Sequence, residues 1–268
     1  MNLQSLSQRI LKRSEAFAEV MSVCTSLLKY SNEAVQVREY IKTRVPEYYC
    51  AGFSFGYFPN HEKIHLLTEY VDEKLLFDLG LVYHKYIDDG GVPHPTMFGI
   101  LGEHNLVMPY RNLNGDIVAM VGRSLLSEAE QERKNISKYK NTKFRKSLNL
   151  FGLYKAKHSI LEKGYVIVVE GQFDCITCHR YGFDNVVALG GISLTKFQFY
   201  LLMRYTDTIY LLLDNDKPGR KATDTILHRY KKIANVRSFN WANRTEKDPD
   251  QLVKTGYDLN NIRGDILD

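Results

Sequence analysis

The sequence predicts an α/β chain: a parallel-rich sheet flanked by helices, preceded by a mixed α+β N-terminal subdomain. Three observations carry this. From residue 165 onward, short apolar runs alternate with segments of helical periodicity, the pattern of a parallel sheet with crossover helices. The first run, Tyr165-Val166-Ile167-Val168-Val169, is apolar and mostly β-branched, as a strand covered on both faces requires. Before it, two hairpin signals replace that alternation, at Asp88-Asp89-Gly90-Gly91 and at Asn112-Leu113-Asn114-Gly115.

Residues 1–45 read as helical. Ile10, Leu11, Phe17, Val20, Met21, Cys24, Leu27 and Leu28 recur at roughly three and four. A second helix covers Glu33 to Arg44, and Pro46 follows it. The aromatic, glycine-containing segment Ala51 to Pro59 reads as a loop or short strand. A helix from about Val71 to Leu79 stops at Gly80. Leu106 to Tyr110 and Ile117 to Val121 read as the strands of the second hairpin, and a basic loop follows. In the C-terminal half, strands are expected at 165–169, 186–189, 208–213 and 235–239. Helices are expected through Cys175 to His179, Leu194 to Met203 and Lys221 to Lys232.

A composition of 44% hydrophobic and 25% charged residues with 7 prolines excludes a disordered or fibrous chain. Cys24 and Cys50 are isolated, and Cys175 and Cys178 have no second ligand pair, so neither a disulfide scaffold nor a zinc site is expected. Neither a leader nor an apolar run of membrane-spanning length is evident, so a reducing cytosol and no membrane partner are expected. Net charge is +5, unevenly spread. Residues 131–147 hold Arg133, Lys134, Lys138, Lys140, Lys143, Arg145 and Lys146 against the acid Glu132. A second run holds Lys217, Arg220, Lys221, Arg229, Lys231 and Lys232. Such patches suit a polyanion, or simply a solvated exterior.

Two of the apolar strands end in acids. Val169 leads into Glu170-Gly171-Gln172-Phe173-Asp174, and Leu213 into Asp214-Asn215-Asp216-Lys217-Pro218-Gly219. Ligands of open α/β sheets bind at the carboxyl ends of strands. Asp214 and Asp216, two apart, face the same way in extended backbone. Carboxylates converging on one point repel unless a cation joins them, and hard oxygen ligands beside phosphates favour magnesium or manganese. Phosphoryl or nucleotidyl transfer is the chemistry this permits. A strand-end aspartate such as Asp174 also reads as a helix cap.

This acidic pattern closely resembles the TOPRIM domain, and the flanking residues resemble the RNA-polymerase core of bacterial-type DNA primases. The motifs run in that family's order. They are Ala34 to Ile41 with Arg44, Phe53-Ser54-Phe55-Gly56-Tyr57-Phe58-Pro59, Val107-Met108-Pro109-Tyr110-Arg111 and Val121-Gly122-Arg123. Then come Lys138-Tyr139-Lys140-Asn141, Lys146 with Leu150-Phe151-Gly152-Leu153-Tyr154, and Lys247-Asp248-Pro249-Asp250. The resemblance implies a helical leader over 1–45, an α+β primase-core subdomain over 46–160, a TOPRIM domain over 161–256 and a tail over 257–268. It implies synthesis of RNA primers from ribonucleoside triphosphates on single-stranded DNA with Mg2+ or Mn2+. Glu170, Asp214 and Asp216 would lie nearest the metals, with Asp174 and Asp248 as accessory acids. Arg111, Arg123, Lys138, Asn141 and Lys146 would meet nucleotide phosphates, template and primer. No zinc-binding module of that family is recognisable, which fits a minimal phage or mobile-element form aided by a helicase or a separate DNA-recognition protein. Competing readings are a TOPRIM nuclease and a non-catalytic nucleic-acid-binding replication accessory protein.

Overall fold

The computed structural model describes residues 3–45, 52–88 and 93–267. Pro46, Cys50, Ala51 and the expected turn at Asp89-Gly90-Gly91 lie outside the described residues. The described chain divides into two units, one of residues up to Arg111 with Asp116–Phe144, the other of Asn112–Gly115 with Arg145 onward.

The first unit opens with α1 (Leu3–Tyr30), a 3-10 turn and α2 (Val35–Arg44). Phe17, Val20, Met21 and Cys24 share one helical face, and they cluster with Phe58, Val107, Ile117 and Met120. Helix α1, expected as part of a leader over 1–45, is therefore built into this core. Strand β1 (Gly56–Tyr57) lies in the aromatic segment, whose Phe53, Phe55, Tyr57 and Phe58 are all buried. Two helices follow, α3 (His65–Thr68), which periodicity did not reveal, and α4 (Glu73–Leu79). Asp72 caps α4, and Gly80 ends it at φ 70. Strands β2 (Val82–Asp88) and β3 (Pro93–Gly99) pair antiparallel. Strands β4 (Leu106–Arg111) and β5 (Ile117–Arg123) form the second expected hairpin.

The basic stretch read as a loop is largely ordered. A capping box between Ser127 and Glu130 starts α5 (Glu128–Lys134), and β6 (Tyr139–Asn141) pairs with β5. The buried Thr142 fixes that pairing by accepting from Met120 N through its hydroxyl and donating its own N–H to Met120 O. The sheet order is β1-β4-β5-β6.

In the second unit, α6 (Leu153–Lys163) precedes β7 (Val166–Val169), and α7 (Gln172–Arg180) leads to β8 (Val186–Ala188). Then come α8 (Lys196–Leu202), β9 (Thr208–Leu211), α9 (Lys217–Tyr230) and β10 (Asn235–Phe239). Helix α10 (Pro249–Lys254) and strand β11 (Ile266–Leu267) complete it. The order is β11-β10-β9-β7-β8, parallel except for the β10–β11 pair. Every residue of β7 is buried, as its unbroken apolar run requires. Leu153, Ala156 and Ile160 of α6 share a core with Val166, Val168, Phe199 and Ile226. The helix at which the sequence suggested a domain break thus packs wholly with the second unit. The expected tail is part of the sheet, since Ile266 pairs with Phe239.

Candidate active site

The carboxyl end of β7 delivers Glu170, and the loop after β9 delivers Asp214. These strands are neighbours, with Val168 beside Leu211. Leu212 N donates to Val168 O, so the alignment persists past the end of β9. One step further, Asp214 N donates to Glu170 Oε1 at 3.2 Å. On the other side of Glu170, Gly190 N donates to its carbonyl at 2.9 Å. Glu170 therefore sits at the centre of the strand-end rim.

Burial, reinforced by Asp214 and then Asp216, pushes the Glu170 carboxyl up to about 7, against the opposing Asp214 N–H hydrogen bond. Asp216 caps α9, its Oδ1 accepting from Gly219 N at 2.7 Å. Gly219 is required by space. A Cβ there would stand 2.2 Å from Asp214 O and 2.8 Å from Glu170 Oε1.

The accessory acids are also helix caps. Asp174 is buried at the third position of α7 and accepts from Gly171 N at 3.1 Å. Asp248 caps α10 through Gln251 N at 2.8 Å. Asn215 N donates to Lys247 O, and Asn215 Nδ2 to Glu246 O, which lays the Lys247-Asp248 segment along the Asp214–Asp216 loop. The donor set fits a hard divalent ion, because burial, and after it the charges of Asp214 and Asp216, make the Glu170 carboxylate costly to ionise without a cation. Among the described residues, no group of three His, Cys, Asp or Glu side chains is already closed around one cation position. Three of these acids are turned to their caps.

Lys146 belongs to this same rim. Its Nζ donates to Gly190 O at 2.9 Å, one peptide from the Gly190–Glu170 contact. The other predicted basic and polar groups stand in the first unit. Arg123 ends β5, pairs in register with Tyr139 and donates to the Tyr139 hydroxyl. Its guanidinium lies 5.1 Å from the ring centroids of both Tyr40 and Tyr139. Asn141 follows on β6, with a buried Oδ1 that has no hydrogen-bond partner among the described residues. Lys138 is exposed. Arg111 is not with them. It pairs with Ile117 while Arg123 pairs with Leu106, so about 17 Å of strand separates their positions. Arg111 lines an open groove of about 430 Å3 with Lys29, Ser22, Ser26 and Ser54.

A family model described as the DNA primase catalytic core, N-terminal domain, matches residues 25–157, and a Toprim-like model matches residues 167–253. A DNA primase of Aquifex aeolicus is 30% identical over 218 residues, covering 80% of this chain and 42% of that relative. The chain belongs to the bacterial-type DNA primase family. The structure of the zinc-binding and RNA polymerase domains of the Aquifex aeolicus primase has a TM-score of 0.71 at 28% identity, covering 91% of this chain and 58% of that one. A DnaG primase catalytic domain bound to single-stranded DNA has a TM-score of 0.70 at 23% identity, covering 94% of this chain and 81% of that one. This chain spans less than half the length of the curated primases it matches, 42% of the Aquifex aeolicus protein and 33% of that of Synechococcus elongatus.

Within this primase-family fold, sequence reasoning missed the roles of Asn215, Trp241 and Tyr40 in holding neighbouring groups in place. Asn215 fastens two loops of the rim. Trp241 anchors the strand end, its Nε1 donating to Leu213 O at 3.1 Å. Tyr40 flanks Arg123 from a helix distant in sequence. A lone tryptophan and an asparagine between two aspartates were the signals available, and neither specifies a partner. Among the described residues, no helix is long and apolar enough to cross a membrane.

Proposed function

We propose that this chain polymerises ribonucleotides on single-stranded DNA, making short RNA primers by divalent-metal-assisted nucleotidyl transfer. The observation that carries the reading is the coupling of Glu170 and Asp214 at the ends of adjacent parallel strands, with Asp216 two residues on. Glu170, Asp214 and Asp216 would hold Mg2+ or Mn2+, and Asp174 and Asp248 would support them from their caps. The bound cation polarises phosphate and neutralises charge that develops during transfer.

The chain's own residues position the polyanions. Lys146 brings a cation to the Glu170 rim. Arg123, clamped between tyrosine rings, offers a planar donor fork already fixed in orientation. Asn141 and Lys138 beside it suit a phosphate or sugar, and Arg111, a hairpin's length away, suits a more distant phosphate of an extended strand. The primase relatives and the single-stranded DNA held by a domain of the same fold support a DNA template.

Extension of an RNA primer annealed to a DNA template tests this without requiring initiation. Ribonucleotides and Mg2+ or Mn2+ should give template-directed extension that is lost in Asp214→Ala and Asp216→Ala. Metal-dependent degradation without synthesis would favour a nuclease. Tight binding with neither product would favour an accessory protein. On unprimed templates, a helicase or DNA-recognition protein is the component to add.

A further inference from the structure

Helix α8 buries one face and leaves the other uncovered. Gln198, Phe199 and Leu202 are buried in the second core, while Phe197 is 66% exposed and Tyr200 49%. These two rings are three residues apart, so they share the outer face. Tyr200 meets the core at Phe199, edge to face with ring centroids 5.4 Å apart, which steadies its ring while about half of it, and most of Phe197, stays open to water.

The surroundings say what kind of partner suits these rings. Lys196 Nζ lies 5.9 Å from the Tyr200 ring centroid, and Arg204 is exposed just beyond the helix end. The sequence from Gly190 to Thr206 contains no acid, nor does that from Arg145 to Tyr154. The two segments are pinned together. Thr195 Oγ1 donates to Ser147 O at 2.7 Å, and the buried Gln198 donates to Lys146 O at 3.3 Å and Asn149 O at 2.8 Å. Arg145 and Lys146 are thereby held beside the head of α8. Lys146 in turn reaches Gly190 O, whose own N–H meets Glu170. Aromatic faces among cations, joined by a short hydrogen-bonded path to the acidic rim, have the makeup of a single-strand stacking platform.

We infer that Phe197 and Tyr200 form a stacking platform for unpaired bases of the DNA template strand, with Lys196 and Arg204 on its phosphates. The occupant is an unpaired strand, because a base already paired with a primer keeps its edges and faces occupied. Arg145, Lys146, Lys196 and Arg204, with no acid in the two segments that carry them, disfavour a basic protein partner and suit a polyanion. This assignment rests on the template-directed reading above, but it can fail separately.

Binding of a fluorescently labelled oligothymidylate to the full chain, followed by anisotropy over a salt series, tests it. Phe197→Leu with Tyr200→Leu keeps apolar bulk and removes the aromatic faces. Both positions are exposed, so an unchanged thermal melt is expected, and affinity should fall at least about tenfold with the salt slope unaltered. Lys196→Gln with Arg204→Gln should instead flatten the slope of log affinity against log salt by about 1.4, for two lost phosphate contacts. Wild-type affinity in the leucine pair together with a wild-type slope in the glutamine pair overturns the inference and leaves the face to a protein partner. Primer extension measured in parallel separates the two claims. Normal extension with undiminished strand binding in the leucine pair removes only the platform. Weakened strand binding in that pair, with no extension by the wild-type chain, removes only the polymerase reading.

Discussion

Glu170 Oε1 accepts the backbone N–H of Asp214 at 3.2 Å, so the carboxylate that ends one strand is held by the loop that leaves its neighbour. Burial and the acids at 214 and 216 push Glu170 up to about 7, from 4.5 when unburied. The folded state therefore binds this proton more tightly than the unfolded state does. Without divalent ions, the associated stability is present below about pH 4.5 and is lost as pH rises through 7. The change should be about 1–2 kcal/mol after allowing for solvent screening of a partly exposed group. Glu170→Gln should remove this pH-dependent component. Urea unfolding between pH 4.5 and 8, read by the fluorescence of Trp241, checks it. A wild-type-minus-variant difference that is flat with pH would show the coupling to be absent.

Gly219 is the contact through which a small change should disturb the rim most. An added Cβ meets backbone at Asp214 O, which has no rotamer with which to yield. Gly219→Ala should cost about 1–3 kcal/mol and displace the Asp214–Asp216 loop. Primer extension by the folded variant should fall at least about 100-fold, and wild-type extension would contradict the packing argument.

Asp248 and Asp250 lie two residues apart and should behave oppositely. Asp250 is buried, accepting from the Thr177 hydroxyl and from Lys254 Nζ at 2.8 Å. Asp250→Ala leaves a buried hydroxyl unsatisfied and should cost about 2–3 kcal/mol with little change in rate per folded molecule. Asp248→Ala removes an N-cap, costing about 1 kcal/mol, and should slow extension severely. Thermal melts and rates measured on both variants decide between them.

Arg123 should not tolerate lysine. The clamp of Tyr40 and Tyr139 fits a flat guanidinium, and the Tyr139 hydroxyl fixes its rotation. Arg123→Lys is expected to raise the apparent KM for ribonucleotide or template about tenfold at nearly unchanged stability. Unaltered kinetics would assign the arginine a purely structural task.

Much of this is legible in the amino-acid sequence. The all-apolar run 165–169 is best explained as a strand buried on both faces, and acids directly after two such strands point to one rim. The hairpin around Asn112 and the stop at Gly80 are local turn chemistry, which sequence reads well. Contacts distant in sequence were not legible. That α1 would cover the first sheet, or that residues 266–267 would pair with β10, depends on tertiary packing that no local pattern encodes. The motifs of Arg111 and Arg123 do not reveal how far apart the two stand, and antiparallel pairing sends them to opposite ends of the hairpin. The cap at Asp174 is legible in the sequence, whereas those at Asp216 and Asp248, which also close helix N-termini, are not.

The most direct test is the rate of single-ribonucleotide incorporation onto an RNA primer annealed to DNA, at saturating Mn2+, for the wild-type chain and Asp214→Asn. Incorporation should follow the templating base, and the variant should be slower by at least about 100-fold with primer–template affinity preserved. Equal rates in the two proteins, or no incorporation by a wild-type chain that is folded and binds the primer–template, would contradict the account.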